Sequence, residues 1–481
     1  ITPLLFILIS INCFSQIKGT VTDNKGNPLP FVNIFEENTY NSTTSNEQGK
    51  FELNIKIPGN HNIIFQYLGY KTIKQIVDLD KTPILLDVMM QEENITLKEV
   101  IINPKDNPAN EIIRNAIKNK KENSEKTARF KSDFYSRGII RLKDAPKTIM
   151  GQKFDFFDEI LDSTRSGIIY LSETVSKITF QKPDKIKEVI VASKVSGKDN
   201  GFSFNNAASV NFDFYENYLP FEINVVSPIA DNAFNYYKYK FEGSFFTENR
   251  QQINKIKVIP RRETEPVMEG YLYIVDDSYA IYATDLSIKG NQMQSPAIDK
   301  LTLKQSYSYN SNNKIWVKNT QTLDFVAGIL SIKVNGRFTY VYSNFEFEKQ
   351  FEKKTFTNEI LSFQENANKK EDSFWNTIRP VPLTEEESTD YTKKDILQTK
   401  KKSKVYLDSI DAKHNKFKVM DILNGYSYKN SFKKCWWSER RFDFFSCHNR
   451  QVDQRRSRAR AEYRRHGNNQ SIWKSRSYWW N

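Results

Sequence analysis

The sequence is poor in cysteine, histidine, glycine and proline, and each shortage excludes a class of protein. Its 481 residues include 3 Cys and 4 His, which are too few and too widely spaced for a disulfide scaffold or a cysteine-based zinc cluster. Gly contributes 17 residues and Pro 16, whereas average usage of about 12% would give roughly 58 in total. Collagen-like, mucin-like and Gly/Ser-linker classes are therefore excluded.

The net charge of +13 is concentrated in the last fifty residues. Residues 432–481 hold 13 basic and 4 acidic residues, whereas residues 1–431 hold 58 and 54. The same tail contains five of the seven Trp and two of the three Cys. The tail has few aliphatic residues and no regular hydrophobic period, so its sequence does not predict a packed element.

Three interpretations of the tail, residues 431–481, remain open. The first is a basic arm for nucleic acid, and the second is a disordered basic tail. The arginines that would form such an arm are Arg455, Arg456, Arg458, Arg460, Arg464 and Arg465. Out-of-frame translation after a frameshift explains the change in Lys, Arg, Trp and Cys usage best. We therefore expect no nucleic-acid partner.

Residues 1–15 have the pattern of a signal peptide. Residues 3–14 are almost wholly apolar but too short to span a bilayer as a mature helix, and Cys13 and Ser15 supply small residues before Gln16. A lipoprotein box around Cys13 and a buried N-terminal strand are the alternatives. We expect export, after which residues 16–430 would contain no cysteine, as suits an oxidising compartment.

Short alternating strands separated by turns occupy residues 16–95. Residues 17–22, 31–35 and 51–55 are examples, with turns at 23–28 and 46–49. About seven such strands favour a small β-sandwich.

Three motifs in this region occur in a recognisable order. They are G-T-V-T-D-x-x-G-x-P-L-P-x-V-x-I, T-T-S-N-E-x-G-x-F-x-L and Y-L-G-Y, between Ile17 and Met90. This order resembles the carboxypeptidase regulatory-like domain. The resemblance implies a prealbumin-like (transthyretin-like) sandwich without catalytic residues, often found at the amino end of exported outer-membrane proteins of Gram-negative bacteria.

A zinc carboxypeptidase would need imidazole and carboxylate ligands around the metal. Neither His61 nor His414 begins an H-x-x-E pair, and we place His61 in a solvated turn. His448 and His466 lie in the anomalous tail. We therefore predict no catalytic, cofactor-binding or metal-binding residues, and no cofactor.

A connector, residues 96–128, is predicted to contain a strand over 97–102 and then a helix. Asn107 would cap this helix, with Pro108 at its first position. Residues 129–355 follow as the largest unit. Their alternation predicts a broad antiparallel sheet, with strands at 271–275, 280–287, 300–309, 314–325 and 330–342. Hairpin turns are predicted at Asp276–Asp277 and Asn335–Gly336.

Aromatic stripes along these strands allow a core or a lipid- or glycan-binding surface, and we favour the core. The outward positions carry too many Lys, Glu and Asn for strands that face lipid. Residues 129–355 are therefore expected to be periplasmic. They resemble the curved half-barrel of periplasmic lipoprotein carriers.

Residues 356–430 form a polar, helical and extended segment with a second set of motifs. F-W-N-T-I-R-P-V-P-L-T-E-E-E begins at Phe374, N-P-A-N begins at Asn107, and G-Y-S-Y begins at Gly425. Together they resemble an exported outer-membrane family that joins a carboxypeptidase regulatory-like domain, a β-rich middle and a carboxy-terminal barrel. Thr384 and Glu387 also fit a helix capping box, which we favour over a metal site or a general base.

The barrel of that family would begin near Gly425. An eight-stranded barrel needs roughly 80 strand residues, but 51 residues follow Asn430. We therefore expect this chain to be truncated or frameshifted before the barrel.

These patterns predict a mainly β, non-enzymatic cell-envelope protein. It would be the periplasmic portion of an outer-membrane barrel protein, with a role in interaction, assembly or transport support. Its expected partners are outer-membrane or other envelope proteins. A periplasmic lipid- or glycan-binding module is an alternative, and a zinc carboxypeptidase-related enzyme is a disfavoured one.

Overall fold

The computed structural model describes residues 15–80, 84–93, 107–155, 157–198, 203, 205–329, 332–416, 427–431 and 435–438. The chain divides into two compact units, residues 1–393 and 394–481. The predicted strand over 97–102, residues 1–14 of the predicted signal peptide, Gly425 and nearly all of the predicted anomalous tail lie outside the described residues. Within these ranges, every helix is too short or too polar to cross a membrane.

Eight short strands form the predicted N-terminal β-sandwich. They are β1 Ser15–Thr22, β2 Asn33–Glu36, β3 Ser42–Thr44, β4 Lys50–Ile55, β5 Asn60–Gln66, β6 Ile73–Asp78, β7 Ile84–Leu85 and β8 Val88–Met89. One sheet has β1 between β4 and the two-residue strands β7 and β8, and the other has the order β3-β2-β5-β6. Alternate residues such as Ile17, Phe51, Leu53 and Phe65 fill the core between the sheets.

Gly19, the first residue of the G-T-V-T-D motif, allows β1 and the β7–β8 segment to approach closely. A Cβ atom at this position would lie 1.9 Å from the carbonyl oxygen of Leu86. The Leu86 amide donates to the Lys18 carbonyl at 2.8 Å. The motif therefore needs glycine here because a side chain would break the pairing.

Helix α1, Pro108–Glu125, begins where the sequence predicts it. The Asn107 side chain accepts a hydrogen bond from the Ala109 amide at 3.1 Å, and Pro108 occupies the first turn. This is the capping arrangement expected of an Asn-Pro pair.

Fifteen strands of the first unit follow α1 among the described residues. They are β9 Arg129–Lys143, β10 Thr148–Ile149, β11 Gln152–Lys153, β12 Gly167–Gln181, β13 Lys185–Val195, β14 Tyr218–Pro220, β15 Asn224–Val226, β16 Tyr237–Phe246, β17 Gln252–Pro260, β18 Glu269–Val275, β19 Ile281–Lys289, β20 Ile298–Asn310, β21 Ile315–Ile329, β22 Ile332–Phe347 and β23 Leu361–Phe363. Eleven of them form one sheet of order β16-β17-β18-β19-β20-β21-β22-β9-β12-β13-β23. Neighbours are antiparallel except β13 and β23, which confirms the predicted antiparallel domain.

The hairpin turn predicted at Asn335–Gly336 is wrong. Both residues lie inside β22, where Gly336 pairs with Phe325 of β21. A Cβ atom on Gly336 would lie 2.1 Å from the Phe325 ring, so this glycine makes room for an aromatic ring instead of turning the chain. The turn at Asp276–Asp277 is confirmed, because β18 ends at Val275 and β19 begins at Ile281.

One face of the large sheet is filled by α1 and by residues 205–236. Ile113 of α1 and Phe214 and Ile229 of that segment are buried against the sheet. The aromatic stripes are part of this core, since Tyr307, Tyr340 and Tyr342 are buried there. The space left beside them measures about 70 Å³, so this face is a packed core, as predicted.

The opposite face of the sheet carries the N-terminal sandwich and residues 372–391. The latter include α2, Asp372–Ile378, and the start of α3, Glu385–Lys402. Trp375 and Val381 pack against Tyr135 and Val341 of the sheet.

A bulge in β22 joins the sandwich to the sheet. The pairing of β22 with β9 shifts between Ser343 and Glu346, and Asn344 has a φ of 53°. Its amide therefore points away from the ladder and donates to the Tyr40 carbonyl at 2.7 Å. Nearby, the Ser42 hydroxyl donates to the Tyr342 carbonyl at 2.9 Å.

The second unit contains helix α4, Lys404–His414, and the strands β24 Ser427–Asn430 and β25 Cys435–Ser438, which pair antiparallel. The Ser431 hydroxyl donates to Asp411 at 2.6 Å. The Asn415 side chain makes two hydrogen bonds to the backbone of Lys429, at 2.7 and 2.8 Å.

Candidate functional site

A buried cluster of charged side chains lies between the sheet and the segment that begins at α2. Glu173 of β12 accepts two hydrogen bonds from the Arg379 guanidinium, at 2.7 and 2.8 Å. Arg137 of β9 lies 3.3 Å from Glu173 and 3.2 Å from Glu387 of α3. The cluster thus holds two arginines and two glutamates.

Backbone and phenol groups complete the cluster. Arg137 donates to the carbonyl oxygens of Val381 and Pro382, the latter at 3.1 Å. The Tyr135 hydroxyl accepts from Arg137 at 2.9 Å and donates to Glu173 at 2.5 Å. The Glu173 side chain is fully buried and those of Arg137 and Arg379 are 6% and 8% exposed, so the charges are compensated almost without water.

The charge states of Glu173, Arg137 and Tyr135 are fixed at neutral pH. Burial alone would raise the pKa of Glu173, but Arg379 and Arg137 outweigh it and lower that pKa to about 2. Burial lowers the pKa of the Arg137 guanidinium, yet Glu387 and its other partners raise it above the ordinary value. Burial raises the pKa of Tyr135 well above its usual range. None of these three groups is poised to exchange a proton near pH 7.

A second set of charges ties the sandwich to the same place. Arg141 of β9 lies 2.9 Å from Glu47 of the sandwich and 2.8 Å from Glu386 of α3. Arg337 of β22 stacks over the Phe31 ring at 4.1 Å from its centroid. Three parts of the chain, the sandwich, the sheet and residues 379–387, therefore meet at this cluster.

Beside the cluster an open cleft of about 820 Å³ lies between the sandwich, the sheet and α2. Its walls are mainly apolar, and the wall residues include Ile55, Ile57, Val175, Val191, Phe374 and Ile378. Ile57 is 68% exposed. Charged side chains also line the cleft, among them Glu36, Glu52, Lys56, Asp133, Lys177 and Glu346. Asp133 is paired with Lys177 at 2.7 Å.

The structure corrects the predicted position of His61. This residue lies in β5, and its ring nitrogens are 2.6 Å from a Glu36 carboxylate oxygen and 2.9 Å from the Ile57 carbonyl. Its side chain is 11% exposed, so the solvated turn is wrong. Strand β5 begins at Asn60, directly after Pro58-Gly59, which leaves His61 inside the strand.

The capping box predicted at Thr384 and Glu387 is confirmed. The Glu387 carboxylate accepts from the Thr384 amide at 2.8 Å, and the Thr384 hydroxyl accepts from the Glu387 amide at 3.2 Å. The sequence did not reveal that Glu387 also binds Arg137, because Arg137 lies 250 positions away. Among the described residues, no three His, Cys, Asp or Glu side chains are grouped so as to hold a metal ion.

Comparison with known families gives two matches. Residues 17–102 match the CarboxypepD_reg-like domain, which confirms the N-terminal resemblance. Residues 112–345, from α1 to the bulge in β22, match a family of unknown function, DUF5686.

A curated relative and two solved structures are also similar to parts of the chain. TonB-dependent receptor P39 of Formosa agariphila is 29% identical over 97 residues, which are 20% of this chain and 9% of the receptor. A putative outer-membrane lipoprotein-sorting protein domain from Vibrio parahaemolyticus aligns with 50% of this chain and 95% of its own, at 9% identity and a TM-score of 0.21. A LolA superfamily protein from Nitrosomonas europaea aligns with 52% and 97%, at 9% identity and a TM-score of 0.19. Because the match covers 9% of TonB-dependent receptor P39, the chain spans about a tenth of that receptor's length.

Proposed function

We propose that this chain is a non-enzymatic, exported protein of the bacterial cell envelope that acts in interaction, assembly or transport support. The CarboxypepD_reg-like domain at residues 17–102 and the similarity to a TonB-dependent receptor support an envelope role. We place the described portion in the periplasm, as part of an outer-membrane protein. Its partners would be other envelope proteins.

The observation that carries this proposal is the buried cluster of Arg137, Glu173, Arg379 and Glu387. Buried ion pairs seldom add net stability compared with apolar packing, but they fix geometry when every charge is compensated. Here they hold a segment near the carboxyl end of the first unit against the sheet. Together with the Arg141–Glu47 pair, this joint suits a protein that keeps the sandwich and the sheet in a set orientation for a partner.

The same cluster supports a non-catalytic role. A general acid or base must gain and lose a proton near the working pH. Glu173 stays ionised, because the arginines lower its pKa to about 2, and the guanidiniums stay protonated. This cluster is therefore a structural feature in this proposal.

The interaction surface in this proposal is the apolar cleft beside the cluster. Its volume of about 820 Å³ falls within the range of about 300–1,000 Å³ typical of sites that bind small molecules and cofactors. Ile57 exposes an apolar side chain at this cleft, so a partner that enters it would remove apolar area from water.

The cleft proposal is tested with a photo-crosslinking amino acid at Ile57 and, as a matched control, at Ile76. These isoleucines are 68% and 71% exposed, but Ile76 does not line the cleft. In a Gram-negative envelope, we expect a discrete adduct with one envelope component at position 57 and none at position 76. Equal labelling at both positions, or no adduct at position 57, would overturn the proposal.

The non-enzymatic role is tested on the purified chain. We expect no stoichiometric metal by elemental analysis and no turnover of peptide, ester or glycoside substrates. Bound zinc at one equivalent, together with peptide hydrolysis that a chelator abolishes, would show that the peptidase alternative is correct.

A second candidate function is lipid binding in the same cleft, favoured by its apolar walls. Native mass spectrometry of the full-length protein would then show a recurrent additional mass of lipid size. The Ile57→Asp variant should lose this mass, whereas Ile76→Asp should keep it. Protein free of any bound mass would argue against this candidate while leaving the crosslinking result intact.

A further inference from the structure

A second cavity, of about 450 Å³, lies at one end of the large sheet. Three hairpin turns form its walls, and they join β16 to β17, β18 to β19 and β20 to β21. The end of α1 closes it, since the Asn123 side chain donates to the Ser278 carbonyl at 2.9 Å. The cavity shares no lining residue with the apolar cleft.

An aromatic platform forms one wall of this cavity. Tyr309 and Trp316 are directly opposed on β20 and β21, with ring centroids 5.2 Å apart and planes inclined by 38°. Tyr282 supports Trp316 edge-on at 5.6 Å. Phe246 also lines the cavity and is 61% exposed. Aromatic faces are electron-rich and attract polarised C–H groups, such as those on the flat face of a pyranose ring.

Polar and charged side chains form the rest of the wall. Arg250, Asp277 and Lys314 are exposed, and none makes a side-chain hydrogen bond or ion pair with another described residue. Lys126 is paired with Glu122 at 3.1 Å, and Asp276 accepts from Asn254 at 3.0 Å. The groups left available are thus two cations and one carboxylate, an excess of positive charge that suits an anionic ligand.

The three residues that carry these side chains have an uncommon backbone conformation. Arg250, Asp277 and Lys314 have φ values of 58°, 65° and 54°, in the left-handed region that glycine or asparagine occupies at least cost in hairpin turns. Arg250 and Lys314 carry long side chains at such positions, so their turns are less stable than turns with glycine or asparagine there. Residues kept in strained conformations often serve a binding site.

The cavity walls are also fixed before any ligand binds. The Tyr215 hydroxyl accepts from the Ile281 amide at 2.9 Å, and the Asp276 amide donates to the Gln252 carbonyl at 2.8 Å. These bonds join the turn between β18 and β19 to its neighbours. A preformed site loses less conformational entropy on binding.

We infer that this cavity binds an acidic oligosaccharide. A pyranose ring would stack against Tyr309 and Trp316, and its carboxylate or sulfate group would bind Arg250 and Lys314. Asp277 would accept hydrogen bonds from sugar hydroxyls. The inference rests on the binding role proposed above but assigns it to a different site.

Calorimetry on the full-length protein tests this inference with three probes, a galacturonate hexamer, a sulfated galactan oligomer and the neutral cellohexaose. We expect at least one acidic probe to bind and cellohexaose to bind about tenfold more weakly or not at all. The acidic affinity should fall between about 0.05 M and about 0.5 M salt as charges are screened. The two acidic probes distinguish a carboxylate from a sulfate ligand. No acidic binding, or equal affinity for cellohexaose, would overturn the inference.

Variants test whether the oligosaccharide binds in this cavity. The double variant Arg250→Asn/Lys314→Asn keeps residues that tolerate left-handed backbone, and it should weaken acidic binding about tenfold or more. Phe246→Ala should weaken it less. Lys257→Asn, on β17 outside the cavity, is the matched control and should bind as the parent does. Unchanged affinity in the double variant would contradict the assignment.

The proposals for the two sites can be refuted independently of each other. Loss of crosslinking at Ile57 with intact sugar binding would refute the cleft alone. Crosslinking at Ile57 without binding of either acidic probe would refute the saccharide site alone.

Discussion

Arg379 and Glu173 form a two-bonded ion pair, at 2.7 and 2.8 Å, across 206 positions of sequence. Glu173 is fully buried in the central part of β12, so its charge has no water to stabilise it. Arg137 binds the same carboxylate from β9. The segment that carries Arg379 is consequently held to the sheet by charge compensation as well as by the packing of Trp375.

Removal of Arg379 should strongly destabilise the first unit. In Arg379→Leu the Glu173 carboxylate stays buried with one arginine fewer, which costs on the order of 3 kcal/mol. Urea unfolding of the full-length protein measures the change. Arg262→Leu is the control, because Arg262 is 65% exposed in its pair with Glu265 and should cost less than about 1 kcal/mol. Similar losses in both variants would contradict the assigned role of the cluster.

Acid should weaken the fold through Glu173. Its pKa is about 2 in the folded protein, below the ordinary 4.5, so the unfolded chain takes up this proton first as pH falls. The stabilisation is present above about pH 5 and is lost progressively towards pH 2, on the order of 3 kcal/mol in total. Unfolding free energies measured across this range test it. Glu173→Gln should flatten the acid limb, and an unchanged slope would refute the assignment.

The charged form of Lys318 should destabilise the fold, unlike that of Glu173, although both groups make stability rise with pH. Burial lowers its pKa to about 8 from 10.5, and the attraction of the Asp213 carboxylate offsets this only in part. The ammonium group donates to the Phe212 carbonyl and to the Gln321 side-chain oxygen. The charged form destabilises the fold at neutral pH, and this cost disappears as pH rises through 8 towards 10.5.

Lys318→Met should therefore raise the free energy of unfolding at pH 7 by about 2 kcal/mol. No acceptor is left unsatisfied, because the Gln305 amide already donates to Phe212 and Gln321 at 2.7 and 2.8 Å. Urea unfolding at pH 7 and above pH 10 measures the gain and its decrease. A variant less stable than the parent at pH 7 would show that the ammonium group contributes net stabilising contacts.

Gly19→Ala should disrupt the N-terminal sandwich. The added methyl would overlap the Leu86 carbonyl, a backbone group that cannot rotate away, and we expect a loss of about 2 kcal/mol or more. Gly26→Ala is the comparison, since its φ of 81° is unfavourable for alanine but an added Cβ would meet no atom within 4 Å beyond its chain neighbours, and it should cost about 1 kcal/mol. Thermal unfolding ranks the two. A larger loss at Gly26 would contradict the close approach at Gly19.

The local features of the fold were predictable from the sequence. Period-two alternation and spaced turns indicated the sandwich and the large sheet, and Asn107 with Pro108 indicated the start of α1. These signals lie within a few residues of the structures they specify. Prediction failed where one local sequence pattern is compatible with two structures. Asn335-Gly336 has turn chemistry, but Gly336 lies in β22 because the Phe325 ring needs the space.

The two candidate sites could not be predicted in the same way. Thr384 and Glu387 were recognisable as a cap because the motif spans four residues. Their connection to Arg137 depends on how the chain returns to the sheet. Likewise, the turn at Asp276–Asp277 was predicted, but its position beside the turns of Arg250 and Lys314 follows from the order of the strands. Strand order is a property of the complete fold.

The bulge at Asn344 limits how the N-terminal sandwich and the large sheet could be recombined during evolution. The sequence families divide the chain near residue 102, yet the Asn344 amide and the Tyr342 carbonyl are bonded to the sandwich. A recombination event at that boundary would separate groups that satisfy one another. Any new N-terminal module would have to present matching partners to the sheet, so the family boundary is a poor crossover point and the two modules should evolve as one selectable unit.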